Sequence, residues 1–141
     1  MQYQKLSGPL SSRAVPAKPK EMALTESWRE LRDRHARVTG ALERALHEHH
    51  QLGVSEFEVL EWLAVHGKDD CRMQELSEGV HLSQSALSRL VGRLEQDGLV
   101  TRTMCSDDRR GIWASLTDAG RARHREACRT HRAVLAEQLG A

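Results

Sequence analysis

Every proline of this chain lies among its first nineteen residues, at Pro9, Pro16 and Pro19, so nothing after them forbids helix. Beside those prolines stand Ser7, Gly8, Ser11, Ser12 and three of the four lysines, a composition that cannot bury a core. Residues 1–22 therefore read as a flexible arm and residues 23–141 as the folded domain. At 141 residues the chain can build one core but not two, which excludes a large multidomain enzyme.

From Trp28 the apolar and semi-apolar positions run Trp28, Leu31, His35, Val38, Leu42, Ala45, His49, spaced alternately by three and four as in a heptad seam. Thr25 suits the N-cap of this helix (about 25–50) and Gly53 its stop. So narrow a seam packs on another helix or on a partner's copy. Ser55-Glu56-Phe57-Glu58 has capping-box form and opens a second helix burying Phe57, Leu60 and either Leu63 or Ala64. A short third helix starts at Arg72 with Met73 and Leu76 inward. Gly79 permits a tight turn, Val80 and Leu82 anchor it, and Ser83 caps a fourth helix that runs to Asp97.

That fourth helix places Leu87, Leu90, Val91 and Leu94 on one face and Gln84, Ser85, Ser88, Arg89 and Arg93 on the other, with Gly98 as its stop. After Gly98 the period falls toward two. Leu99–Met104 and Ile112–Leu116 read as strands, and the turn formers from Cys105 to Gly111 make them a hairpin with a charged tip. Thr117 caps a last helix (117–139) that buries Ala119, Ala127, Val134 and Leu135. The fold class expected is mainly α with a small β-hairpin wing. Helices joined by a short turn (about 72–97) and followed by a hairpin (about 99–116) make a winged helix-turn-helix.

The net charge of +1 argues at first against nucleic acid, but its distribution does not. Residues 21–83 hold 7 bases and 13 acids, whereas residues 84–125 hold 8 and 5. The basic stretch coincides with the fourth helix and hairpin. Short polar side chains let a helix sit deep in the major groove, where Ser85 and Ser88 offer small donors and acceptors, Gln84 pairs with adenine, and Arg89 forks onto guanine or a phosphate. Arg109 and Arg110 at the hairpin tip suit the narrow minor groove.

These residues resemble a family. Leu82-Ser-Gln-Ser-Ala-Leu-Ser-Arg-Leu-Val-Gly-Arg-Leu-Glu-Gln-Asp-Gly-Leu-Val-Thr-Arg, with Asp107-Asp-Arg-Arg-Gly and Leu116-Thr-Asp-Ala-Gly-Arg, is similar to the MarR family of transcriptional regulators over residues 25–139. The resemblance implies a homodimer formed by terminal helices, two winged lobes on palindromic double-stranded DNA, and repression relieved by a small-molecule effector, a metal or oxidation. It implies groove-facing roles for Ser83, Ser85, Ser88 and Arg89, a wing aspartate at Asp108 and a minor-groove arginine at Arg110, with Arg109 the weaker of the pair. Family members carry a further helix after the one that follows Thr117, so here the dimer is expected to rest on the Trp28 to His49 helix, the last helix or the arm. The competing reading is a winged-helix protein-interaction module without DNA affinity.

Other signals are set aside at this level. His47-Glu48-His49-His50-Gln51 lacks the second histidine of HExxH, and neither phosphate loop nor nucleophile elbow occurs, so no enzyme and no cofactor is expected. His47, His49 and His50 cluster, and His124, Cys128 and His131 share one helical face, but solvent-facing histidines are the commoner case and no metal is assigned. Cys71, Cys105 and Cys128 have no CxxC spacing and fit reduced thiols; oxidation of Cys71 or Cys105 is the redox alternative. Trp28, Trp62 and Trp113 are assigned to the core. No apolar run approaches the roughly 18 residues of a membrane span, and a cytoplasmic location is expected.

Overall fold

A computed structural model describes residues 18–67, 70–104 and 111–140. Its elements are α1 (Pro19–His50), α2 (Val54–His66), β1 (Cys71–Arg72), α3 (Met73–Val80), α4 (Gln84–Gln96), β2 (Val100–Met104), β3 (Ile112–Leu116) and α5 (Asp118–Leu139). Two compact units divide after Arg34. The first contributes residues 18–34, helical from Pro19 and exposed throughout.

Helix α1 begins inside the stretch read as an arm. Proline lacks the N–H that a first turn leaves unused, so Pro19 starts a helix as readily as it would break one. Glu21 accepts the Lys18 backbone N–H at 2.9 Å, and Thr25, far from capping, donates its hydroxyl to the Glu21 carbonyl one turn back at 2.9 Å. The seam also differs in phase: Leu42 and Leu46 are buried, His49 is exposed, and Trp28 and Leu31 stay in solvent.

The second unit, from His35 onward, holds the core. Gln51, in left-handed backbone (φ 56°), ends α1, its N–H bonding the His47 carbonyl at 3.0 Å, and Leu52 turns directly inward. Gly53 is thus not the stop of α1 but the N-cap of α2. The capping box is not formed either, because Ser55 already lies in the first turn and the Val54 N–H is met by Glu43 of α1 at 3.2 Å.

Within the helix-turn-helix, Gly79 is the last residue but one of α3 and the turn is made by His81 in left-handed backbone (φ 57°). Gly79 serves close packing instead: a Cβ there would stand 2.5 Å from the indole of Trp62. The Ser77 hydroxyl donates to the Leu82 carbonyl and closes the turn. Ser83 caps α4 as expected, accepting the Ala86 N–H at 3.2 Å, and Leu87, Leu90, Val91 and Leu94 are all buried. These leucines meet Phe57, Val59, Leu60, Leu76 and Val100 in one cluster.

The sheet has three antiparallel strands in the order β1-β3-β2, one more than the hairpin expected. Val100 pairs with Leu116 and Met104 with Ile112, while Cys71 and Arg72 pair with Ala114 and Trp113. Thr117 joins the hairpin to α5 through one hydroxyl, which donates to the Gly98 carbonyl (2.6 Å) and accepts from the Gly120 N–H (3.0 Å). Along α5, Gly120, Ala127 and Cys128 are buried, Val134 and Leu135 are half-buried, and Ala119 faces solvent. Trp62 and Trp113 are half-buried.

Candidate nucleic-acid interface

Four buried aliphatic side chains fix the rotation of α4, and that rotation decides what it shows to solvent. Ser83, Gln84, Ser85, Ser88, Arg89 and Arg93 are all exposed on the remaining face. Among the described residues neither Arg89 nor Arg93 makes an ion pair. No acid lies in the first turn, where free backbone N–H groups favour an anion. The face can therefore hold phosphate at the helix start and offer two cations and small hydroxyls along one side.

Arg102 is differently placed from Arg89. Its guanidinium lies 3.3 Å from Glu95, and the same carboxylate accepts the Arg102 backbone N–H at 3.1 Å, so its charge is compensated and the bond ties β2 to α4. Half-exposed, the ion pair itself is worth about 0–1 kcal/mol. Asp108, Arg109 and Arg110 of the hairpin tip lie outside the described residues, as does Cys105. Arg72 is a cation that sequence reading missed. It stacks over Trp113, 5.1 Å from the ring centroid, on a strand too short to show any periodicity.

The histidines separate. His47 and His49 are exposed, while His50 bonds the Thr130 hydroxyl at 2.6 Å and its carbonyl accepts from Arg123 at 2.8 Å. His124 and Cys128 face inward together, and His131 stacks on Phe57 at 4.3 Å. Cys71 is a buried free thiol, and burial pushes its pKa up. A cleft of about 440 Å³ lies beside these groups, lined by Phe57, Trp62, His66, Val80 and His131 among others. No helix among the described residues is long and apolar enough to cross a membrane.

Comparison with known proteins bears on the fold and the family. Residues 50–111 match the profile described as "MarR family". The HTH-type transcriptional repressor MdtR of Bacillus subtilis is 36% identical over 81 residues, 57% of this chain and 51% of MdtR. The chain spans about half to three-fifths of the length of the curated relatives it matches. AbsC, a MarR family transcriptional regulator from Streptomyces coelicolor, superposes with a TM-score of 0.77 at 30% identity, over 86% of this chain and 80% of its own. Sco3205, of the same family and organism and solved in complex with DNA, gives 0.78 at 28% identity, over 86% and 75%.

Proposed function

The chain belongs to the MarR family, and on that premise we propose that it is a DNA-binding transcriptional regulator, a homodimeric repressor on a palindromic operator. One observation carries the reading: α4 exposes Gln84, Ser85, Ser88, Arg89 and Arg93 on a face whose orientation is locked by four buried residues. In this reading Ser83, Gln84, Ser85 and Ser88 meet base edges and phosphates in the major groove, Arg89 reads a base, and Arg93 holds the backbone. On the sequence alone, Asp108, Arg109 and Arg110 are added to the proposed DNA-binding set, with Arg110 assigned to the minor groove.

The dimer is proposed on α1. Leu24, Trp28 and Leu31 stand at i, i+4 and i+7 and are 71%, 58% and 59% exposed, an apolar stripe that invites a second copy. Release of DNA by an effector is proposed for the 440 Å³ cleft, which is of small-ligand size.

The test is selection of bound genomic fragments with the purified protein, followed by retardation assays. An inverted repeat is expected, with half-sites about one helical turn apart. Arg89→Ala is expected to weaken the cognate site by about 1–3 kcal/mol and to relax one base position. Uniform weakening across all sequences would reassign Arg89 to phosphate. No retardation of any DNA at low salt would overturn the reading in favour of a protein-interaction module.

A further inference from the structure

Away from the α4 face, donor atoms from two helices converge on one point. Glu61 stands in α2, and His124 and Cys128 stand one turn apart in α5. Nε2 of His124 lies 3.1 Å from Cys128 Sγ and 3.7 Å from Glu61 Oε2. All three ligand atoms fall within 4.8 Å of one another, with Cys128 buried and the other two half-buried. The ring of Phe57, stacked 5.7 Å from His124, lies beside the cluster.

The same imidazole nitrogen faces both the thiol and the carboxylate. A nucleophile–base relay would use one ring nitrogen for the thiol and the other for the acid, so this is not a relay. Three donors around a common point are what a metal ion requires. With Zn–S of about 2.3 Å and Zn–N and Zn–O of about 2.0–2.1 Å in a tetrahedron, ligand atoms stand roughly 3.3–3.6 Å apart. The thiol–imidazole and imidazole–carboxylate separations reach those values by shifts of a few tenths of an ångström.

We propose that Glu61, His124 and Cys128 form a binding site for a zinc-class divalent cation, with the fourth coordination position open to water or a small ligand. One sulfur, one nitrogen and one oxygen suit a borderline-soft ion and not magnesium or calcium, which take oxygen shells. Burial, and after it the Glu61 carboxylate, push the Cys128 thiol up. Binding exchanges that S–H proton for the metal, and the proton leaves to solvent. The ion would tie α2 to α5, the helix that Thr117 fastens to the end of α4.

The experiment titrates cobalt(II), as a coloured substitute for zinc, into the reduced, metal-stripped full chain. The expected result is saturation at one equivalent with a thiolate-to-cobalt charge-transfer band that one equivalent of zinc removes. The band is expected to vanish in Cys128→Ser and to persist in Cys71→Ser and Cys105→Ser. Glu61→Gln, at a half-buried position that leaves the core intact, is expected to weaken binding at least about tenfold. Circular dichroism checks that each variant is folded, and should Cys128→Ser unfold, Glu61→Gln decides alone. Absence of a saturable band up to millimolar cobalt, or a band that survives both Cys128→Ser and Glu61→Gln, would overturn the site. No DNA enters this measurement, so its failure leaves the reading of α4 untouched.

Discussion

Helix α4 and the exposed first half of α1 are both amphipathic, yet they expose opposite faces. Helix α4 hides its leucines and shows serines, glutamine and arginines, while residues 19–34 leave Leu24, Trp28 and Leu31 in solvent. The amphipathicity of α4 is satisfied within its own chain, whereas among the described residues nothing covers Leu24, Trp28 and Leu31 of α1. The contrast teaches that a heptad-like stripe reports the need for an apolar partner without saying whether the partner is cis or trans. A polar face becomes informative only once the opposite face is known to be buried.

The comparison breaks most severely at the core of α4. Leu87→Ala is expected to destabilise the fold by about 2–5 kcal/mol, read as a lowered urea midpoint, because the fully buried side chain leaves a cavity. At the other helix, Trp28→Ala is expected to leave the urea midpoint almost unchanged and to weaken self-association by about 2 kcal/mol or more, roughly thirtyfold, in sedimentation equilibrium. A loss of stability without a change in association would show that Trp28 packs in cis.

Smaller effects sharpen the ends of the two helices. Ser83→Ala removes the hydroxyl that accepts the Ala86 N–H and is expected to cost about 1 kcal/mol of stability. Gln51→Gly has the opposite sign: relief of a left-handed non-glycine residue is expected to stabilise by about 0.5–1 kcal/mol in the same denaturation assay.

Legibility in the sequence followed the same divide. The buried quartet of α4, its exposed face, the Ser83 and Thr117 caps and the hairpin strands were all readable, since each rests on spacing within one element. Pro19 reads as a breaker in the sequence, but proline disrupts only a helix interior and fits a first turn. Ser55-x-x-Glu58 matched a capping box, yet Glu43 from another helix satisfied the Val54 N–H instead. Strand β1 has two residues and exists only through its register with β3. Likewise spacing along α5 groups His124 with Cys128 and His131 on one face. The chain brings Glu61 to it from α2, and no spacing within α5 encodes that.

The double hold of Glu95 on Arg102 has a bearing on recognition. Because one carboxylate takes both the amide and the guanidinium of Arg102, α4 and the first strand of the hairpin are tied to each other at two points. On the proposed reading, a duplex that contacts both would meet backbone already joined at this point, and the ordering cost there would fall on side chains such as Arg89 and Arg93.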